Sequence, residues 1–519
     1  MKSNRYTIFF LIILGFYSIF SFFVMRDFGA TWDETPRHIS GQVTADYIEG
    51  KINNFNSLEG DSIYYGPFFE TLNHYFGNAL EKPFHMGEMD AFHVLIILIS
   101  ILGILFFFKL VSEMFSGKTA LLSSTLLMTY PVFFAHSHYN SKDIPLFSLF
   151  IVTLYFLYTG FKHEKIWTII IGGIFCGLLL DTRIDGFLLL PVFFGAYILF
   201  IVFGLKKSWE EWISHVKKDI LFTFVFVAVA SVTVYIAWPA LWHNPLLFFR
   251  ALNYFLHHSW GENVLYFGKL YPERHIPWHY APFFLVATTP LAVLILAIIG
   301  LAIATKRILR GEKFFEITLV FLWLFLRLGL AILPESVKYD GIRQFLIIVP
   351  AFIIFAAIGF DFILEKIPNY FLKIKKWKIQ AGIIFVIFFW IIFEFFKIFP
   401  FGGSYFNETV RFIFPKNLDK KFDFEYWGPS YRQGISWLNE NAELNSMFCV
   451  PIAEHLIKFY SVRPDLKFDC GENTNYLMFF TRWAFITDDL ENNYHYKEKD
   501  PIFRISRYDS DLLLIYGAK

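Results

Sequence analysis

Residues 7–35, TIFFLIILGFYSIFSFFVMRDFGATWDET, hold the pattern that decides the fold. The apolar run 7–25 is long enough to cross a bilayer core, which takes about 20 residues of helix. It ends at Met25-Arg26-Asp27, and Thr31-Trp32-Asp33-Glu34-Thr35 follows directly. Lys2 and Arg5 ahead of the run give it the look of a secretion signal. Its length and the lack of a small-residue cleavage site read instead as a retained first helix. Two adjacent carboxylates where a lipid-embedded helix emerges are expensive to hold near hydrocarbon, so chemistry or binding is one reason to place Asp33 and Glu34 there. Capping the next helix in solvent is the other.

The same apolar pattern recurs along the chain. Of 519 residues, 56% are hydrophobic, 21% aromatic and only 18% charged, a balance that excludes a soluble domain and reads as a polytopic membrane protein. The net charge of +1 gives no reason to expect a nucleic-acid partner. Further spans are expected near 91–112, 118–134, 144–160, 166–181, 186–204, 219–238, 281–304, 314–333, 342–363 and 378–398, about eleven with the first. Basic residues fall in alternate loops: Lys2 and Arg5, Lys118, Lys162 and Lys165, Lys206 to Lys218, Lys306 to Lys313, and Lys366 to Lys376. Those loops are expected to be cytoplasmic. By parity the opposite face receives the loop 26–90, the turns at 136–143, 181–185 and 335–343, the loop 239–280 and everything after Pro400. Nearly all the chemically interesting residues thus share one face.

The outer loops mix aromatic rings with polar residues, as short helices lying in the membrane interface do. After Pro400 charge returns and apolar runs shorten. Helices are expected at 430–441 and 454–460, and strands at 447–452, 466–469, 476–481 and 512–516. The expected organisation is a transmembrane module over 1–399 and a small α/β extracytoplasmic domain over 400–519. Cys449 and Cys470 lie in that domain, where a disulfide between them is compatible with the compartment; Cys176 lies in an apolar run and reads as packing.

Several constellations can carry chemistry. A positioned carboxylate such as Asp33 can take a proton from an attacking hydroxyl, and one suffices for an inverting group transfer. Asp143, at the mouth of another span in Asn140-Ser141-Lys142-Asp143-Ile144-Pro145, offers a second acid, with Lys142 able to meet a phosphate; helix capping is the plain alternative. Arg183 with Asp185, and Lys338 with Arg343, form two more outer clusters. Arginine suits phosphate oxygens, although an interfacial arginine also simply snorkels or pairs with an acid. His136, His138, His257, His258, His275 and His279 lack metal-ligand spacing, so no cofactor is expected, a divalent metal being the open alternative. No phosphate-cradling glycine loop, nucleophile elbow or dinucleotide fingerprint is present.

The ordered set Trp32-Asp33-Glu34, Asn140 to Pro145, Tyr266-Phe267-Gly268, Pro277-Trp278-His279-Tyr280, Thr289-Pro290, Tyr339 to Phe345, Tyr405-Phe406-Asn407-Glu408 and Asp423 to Tyr431 resembles a known family. It is similar to the polyprenyl-phosphate-sugar-dependent membrane glycosyltransferases of the GT-C fold, chiefly the bacterial protein O-mannosyltransferase-like and aminoarabinose-transferase-like members. The resemblance covers roughly residues 1 to 440. It implies an all-α transmembrane bundle, a sugar donor on a polyprenyl phosphate, and a glycan, lipid or protein acceptor outside the cytoplasm. Asp33 is then the base and Asp143 the second acid, with Glu34 beside them. Arg343, Lys338 and Arg183 would face the donor phosphate, and Trp32, His279 and Tyr280 the acceptor or the sugar. A bacterial inner membrane with a periplasmic active site is the implied location. The tail is smaller than the β-trefoil insertion of eukaryotic members, which argues against a Ser/Thr protein acceptor. A transporter or lipid flippase is the alternative from another class, with an inactive scaffold of polysaccharide assembly as a third.

Overall fold

The computed structural model describes residues 2–204, 209–368, 370–371, 374–486 and 492–518. Nine helices among them are long and apolar enough to cross a membrane: Arg5–Asp27, Glu88–Met114, Asp143–His163, Ile184–Phe203, Lys217–Ala237, Leu291–Leu309, Phe314–Ile332, Arg343–Lys366 and Lys376–Ile398. Eleven runs were expected, and two take another form. The run 118–134 splits into Gly117–Met128 and Pro131–Tyr139. Tyr130 between them is extended, because the ring of Pro131 disfavours helical backbone before it. The run 166–181 folds as the 17-residue helix Ile166–Thr182, shorter than the others. The run 281–304 also breaks before a proline, giving Tyr280–Ala287 and then Leu291–Leu309.

Two of the helices form the centre. The apolar windows of Asp143–His163 and Arg343–Lys366 are 83% buried, against 11% for Lys376–Ile398, whose apolar residues face outward as lipid contact requires. Helix Leu291–Leu309 crosses Arg343–Lys366 at Gly300 and Gly359. A Cβ at Gly300 would sit 1.7 Å from the Phe355 carbonyl oxygen, so only glycine permits this approach of backbones. At one end of the bundle lie ion pairs of the basic loops, Lys118 with Asp361 and Lys162 with Glu113.

The first outer loop folds into the helices Glu34–Ile48 and Phe68–Phe84. The loop 239–280 holds the amphipathic helix Leu247–Leu256, with Leu247 and Ala251 buried and Phe249 and Leu256 exposed. It also holds an antiparallel hairpin pairing Asn263–Tyr266 with Lys269–Pro272. Its turn, Phe267-Gly268, has both residues at positive φ, the geometry that matches the twist of paired strands.

Beyond Pro400 a five-stranded sheet runs in the order Lys467–Phe468, Met447–Cys449, Tyr476–Phe480, Ser510–Gly517, Phe503–Arg507. The first three strands are parallel and the last two pair antiparallel. Helix Tyr431–Asn441 covers it, with Gly434 so close to the sheet that a Cβ would lie 2.5 Å from the Met478 sulfur. The strand expected over 447–452 stops at Cys449, and Phe503–Arg507 is a strand that the apolar runs did not mark. A disulfide joins Cys449 to Cys470.

Candidate active site

Asp33 and Glu34 part company at the start of their helix. Glu34 is the residue with the local duty: its carboxylate accepts the Thr31 N–H at 2.5 Å and the Thr31 hydroxyl at 3.0 Å, and meets His93 Nε2 at 2.8 Å. These bonds tie Thr31 to Glu34 and fix the backbone leading into Asp33. Asp33 occupies the cap position, yet its side chain makes no capping hydrogen bond. It points instead into a cavity of about 280 Å³ at the end of the bundle where the helices Asp143–His163 and Arg343–Lys366 begin, lined also by Trp32, Arg37, Lys142, Asp340, Arg343 and Arg482.

The charges around Asp33 alternate. Its Oδ2 accepts Arg343 Nη1 at 2.6 Å and lies 3.5 Å from Lys142 Nζ. Arg343 holds Asp340 at 3.1 Å through Nη2, and Asp340 receives Arg482 Nη2 at 2.7 Å. Arg343 also stacks over Trp427, 4.3 Å from the ring centroid. Burial alone would raise the pKa of Asp33. The Lys142 ammonium and the Arg343 guanidinium outweigh burial and hold the carboxyl well below its usual range. Burial conversely lowers the pKa of Lys142, with Asp33 opposing the shift.

Asp143 lies beside this chain but is occupied. It accepts Asn140 Nδ2 at 2.9 Å, pairs with Arg183 and stands 4.0 Å from Arg343 Nε. Arg183 divides itself between Asp143 and Asp185, the latter at 2.6 Å. Like Glu34, Asp143 and Arg183, three further expected residues sit away from the cavity wall. Lys338 donates to the carbonyl and hydroxyl of its neighbour Ser336 at 3.0 and 2.7 Å. His279 is hydrogen-bonded through Nδ1 to the Tyr266 hydroxyl at 2.7 Å. Tyr280 is fully buried, and its hydroxyl accepts the Gly341 N–H at 2.9 Å, steadying the left-handed Asp340-Gly341 turn from which Asp340 and Arg343 reach the cavity.

Sequence reasoning had passed over several cavity residues, the arginines Arg37 and Arg482 as well as Asp61 and Glu262. Arg37, four residues after Asp33 on one helix, follows from i, i+4 spacing. Arg482 gave no local signal: it comes from the C-terminal domain, where it also donates to the Tyr426 carbonyl at 2.7 Å and lies against Trp260 and Phe485. Backbone bonds seal the same junction, Trp32 N–H to the Trp427 carbonyl at 2.9 Å and Asp423 N–H to the Leu265 carbonyl at 3.2 Å. Among the described residues no group of three or more His, Cys, Asp or Glu could hold a metal ion.

Residues 83–238 match the model of a family described as dolichyl-phosphate-mannose-protein mannosyltransferase. ArnT from Cupriavidus metallidurans in the apo state shares 12% identity and a TM-score of 0.53, over 100% of this chain and 99% of ArnT. ArnT bound to undecaprenyl phosphate gives 12% and 0.52, over 99% and 98%. The archaeal oligosaccharyltransferase AglB from Archaeoglobus fulgidus, in complex with an inhibitory peptide and a dolichol-phosphate, gives 11% and 0.53, over 92% of this chain and 70% of AglB. No curated protein matches the chain. The chain has the GT-C fold that these membrane proteins share, and within it residues 83–238 carry the sequence pattern of the dolichyl-phosphate-mannose-protein mannosyltransferase family.

Proposed function

We propose that this protein is an inverting glycosyltransferase that moves a sugar from a polyprenyl-phosphate donor to an acceptor on the outer face of the membrane. The observation that carries the proposal is Asp33, a carboxylate free of capping duty, facing a cavity beside Lys142 and Arg343. The acceptor hydroxyl or amine attacks the anomeric carbon as Asp33 takes its proton. The bond from that carbon to the phosphate oxygen breaks, and the lipid phosphate leaves with the electron pair. Fixed cations stabilise the charge as it develops, without reorganising. Asp143 supports inversion by being unavailable: buried and held by Arg183 and Asn140, it is poorly placed to act as a nucleophile.

Location follows the same reading. The disulfide Cys449–Cys470 suits an oxidising compartment, and the basic loops mark the cytoplasmic side, which favours a periplasmic site in a bacterial inner membrane. A glycan, a lipid or a protein can serve as acceptor. The test is transfer from radiolabelled polyprenyl-phosphate sugars in membranes carrying wild type or Asp33→Asn at matched levels. Label should move only with the wild type; equal transfer by Asp33→Asn removes the base assignment.

A further inference from the structure

The cations of the cavity are not equivalent. Of those that line it, Arg343 and Arg482 are engaged by carboxylates and Lys142 stands 3.5 Å from Asp33; behind the wall, Arg183 is held by Asp143 and Asp185, and Lys338 by Ser336. Arg37 is different. It is 4% exposed and lines the cavity, and among the described residues no carboxylate forms an ion pair with it; its buried Nε lacks a hydrogen-bond partner, as do those of Arg343 and Arg482, whose guanidinium ends are nevertheless held by carboxylates. What it touches is the Tyr65 ring, 3.8 Å from guanidinium carbon to centroid. The Lys142 ammonium lies 4.6 Å from the centroid of the same ring.

A buried guanidinium with no carboxylate in contact is costly, and a cation–π contact together with the more distant charge of Asp33 returns only part of that cost. Glu70 is a nearby acid, but burial pushes its carboxyl up to about 7, so at neutral pH it supplies only a fraction of a charge. Arg37 is also fixed in place. Its N–H bonds the Asp33 carbonyl at 3.4 Å, and its helix packs so closely at Gly41 that a Cβ there would lie 2.3 Å from the Glu70 carbonyl oxygen. Two cations thus meet at one aromatic ring, one turn of helix from the base; Lys142 shares the Asp33 carboxylate at 3.5 Å, whereas Arg37 has no carboxylate at ion-pair distance among the described residues.

We propose that Arg37, together with Lys142, is the receptor for the phosphate anion of the lipid-linked donor, in place of Arg183 and Lys338. The proposal rests on the function inferred above. It places the phosphate against Tyr65, where the planar guanidinium can offer two parallel donors and the ammonium a third.

Purified full-length protein is titrated with radiolabelled undecaprenyl phosphate, and separately with inorganic phosphate followed by thermal shift. Arg37→Met is expected to weaken lipid-phosphate binding at least ten-fold and to abolish the shift by inorganic phosphate. The melting temperature of the empty protein should be unchanged or raised, since an uncompensated charge is removed; Arg37→Lys should bind in between. Wild-type affinity in Arg37→Met overturns the proposal, and so does a lowered melting temperature of the empty variant, which marks a structural arginine. Should the wild type respond to inorganic phosphate through Arg37 yet ignore undecaprenyl phosphate, the anion site stands and the lipid-donor reading falls.

Discussion

Replacing Asp33 by asparagine should tighten the grip of the protein on the lipid phosphate while abolishing transfer. A single oxygen, Oδ2, takes both the 2.6 Å hydrogen bond from Arg343 and the 3.5 Å approach of Lys142, so the carboxylate competes with any arriving anion for the same cations. A hydrogen bond between charged groups is worth roughly 1.5–3 kcal/mol net. Since about 1.4 kcal/mol corresponds to a factor of ten, loss of that competition should raise affinity for undecaprenyl phosphate by about ten- to a hundred-fold. The same competition explains how a carboxylate with a depressed pKa serves as a base, since useful bases titrate nearer the working pH. The phosphate draws the cations off, and Asp33 regains proton affinity in the donor complex. Scintillation-proximity binding of radiolabelled undecaprenyl phosphate to wild type and Asp33→Asn, in parallel with the transfer assay, measures both effects. Equal or weaker binding by Asp33→Asn would refute the reasoning, because the phosphate would then be held somewhere that the carboxylate does not reach.

Two further outcomes are expected. Arg482→Met leaves the buried Asp340 carboxylate with Arg343 alone, and removing one partner of a buried pair costs up to about 3–5 kcal/mol; its melting temperature and transfer rate should both fall, and adding Asp340→Asn should restore part of the stability, whereas strictly additive losses would show the pair to be uncoupled. Burial raises the carboxyls of Asp423 and Glu425 to about 7, so the folded state holds these protons more tightly than the unfolded chain. Stability from them is full below the ordinary carboxylate range and is lost as the pH rises through about 7. Melting temperatures in detergent should fall from pH 5 to pH 8, and Glu425→Gln should flatten that slope; an unchanged slope rejects the assignment.

What the sequence disclosed follows the range of the interactions involved. Apolar runs and the rhythm of Lys and Arg are local, and they placed the helices and brought Asp33, Asp143, Arg183 and Arg343 to one face. The breaks at Tyr130-Pro131 and Thr289-Pro290 were also local, and reading the residue before each proline would have found them. The strand Phe503–Arg507 hides because its alternation holds only two apolar residues, Phe503 and Ile505, before Arg507 ends it. The division of labour between Asp33 and Glu34 could not be read, since it depends on His93, one helix away in space and 59 positions away in sequence. Arg482 was invisible for the same reason: its partner Asp340 is 142 residues distant.

The placement of Arg482 and Phe485 in the chamber wall bears on how such enzymes can be rebuilt. The tail resembles a detachable module, and a designer of chimaeras would cut near residue 400. That cut leaves the membrane half with Asp340 held by Arg343 alone and one side of the chamber open to bulk water. A workable exchange must carry 423–428 and 482–485 together with the turn 339–343 as one matched set. Substitutions in the tail can therefore reshape the cavity around Asp33 without altering any helix in the lipid.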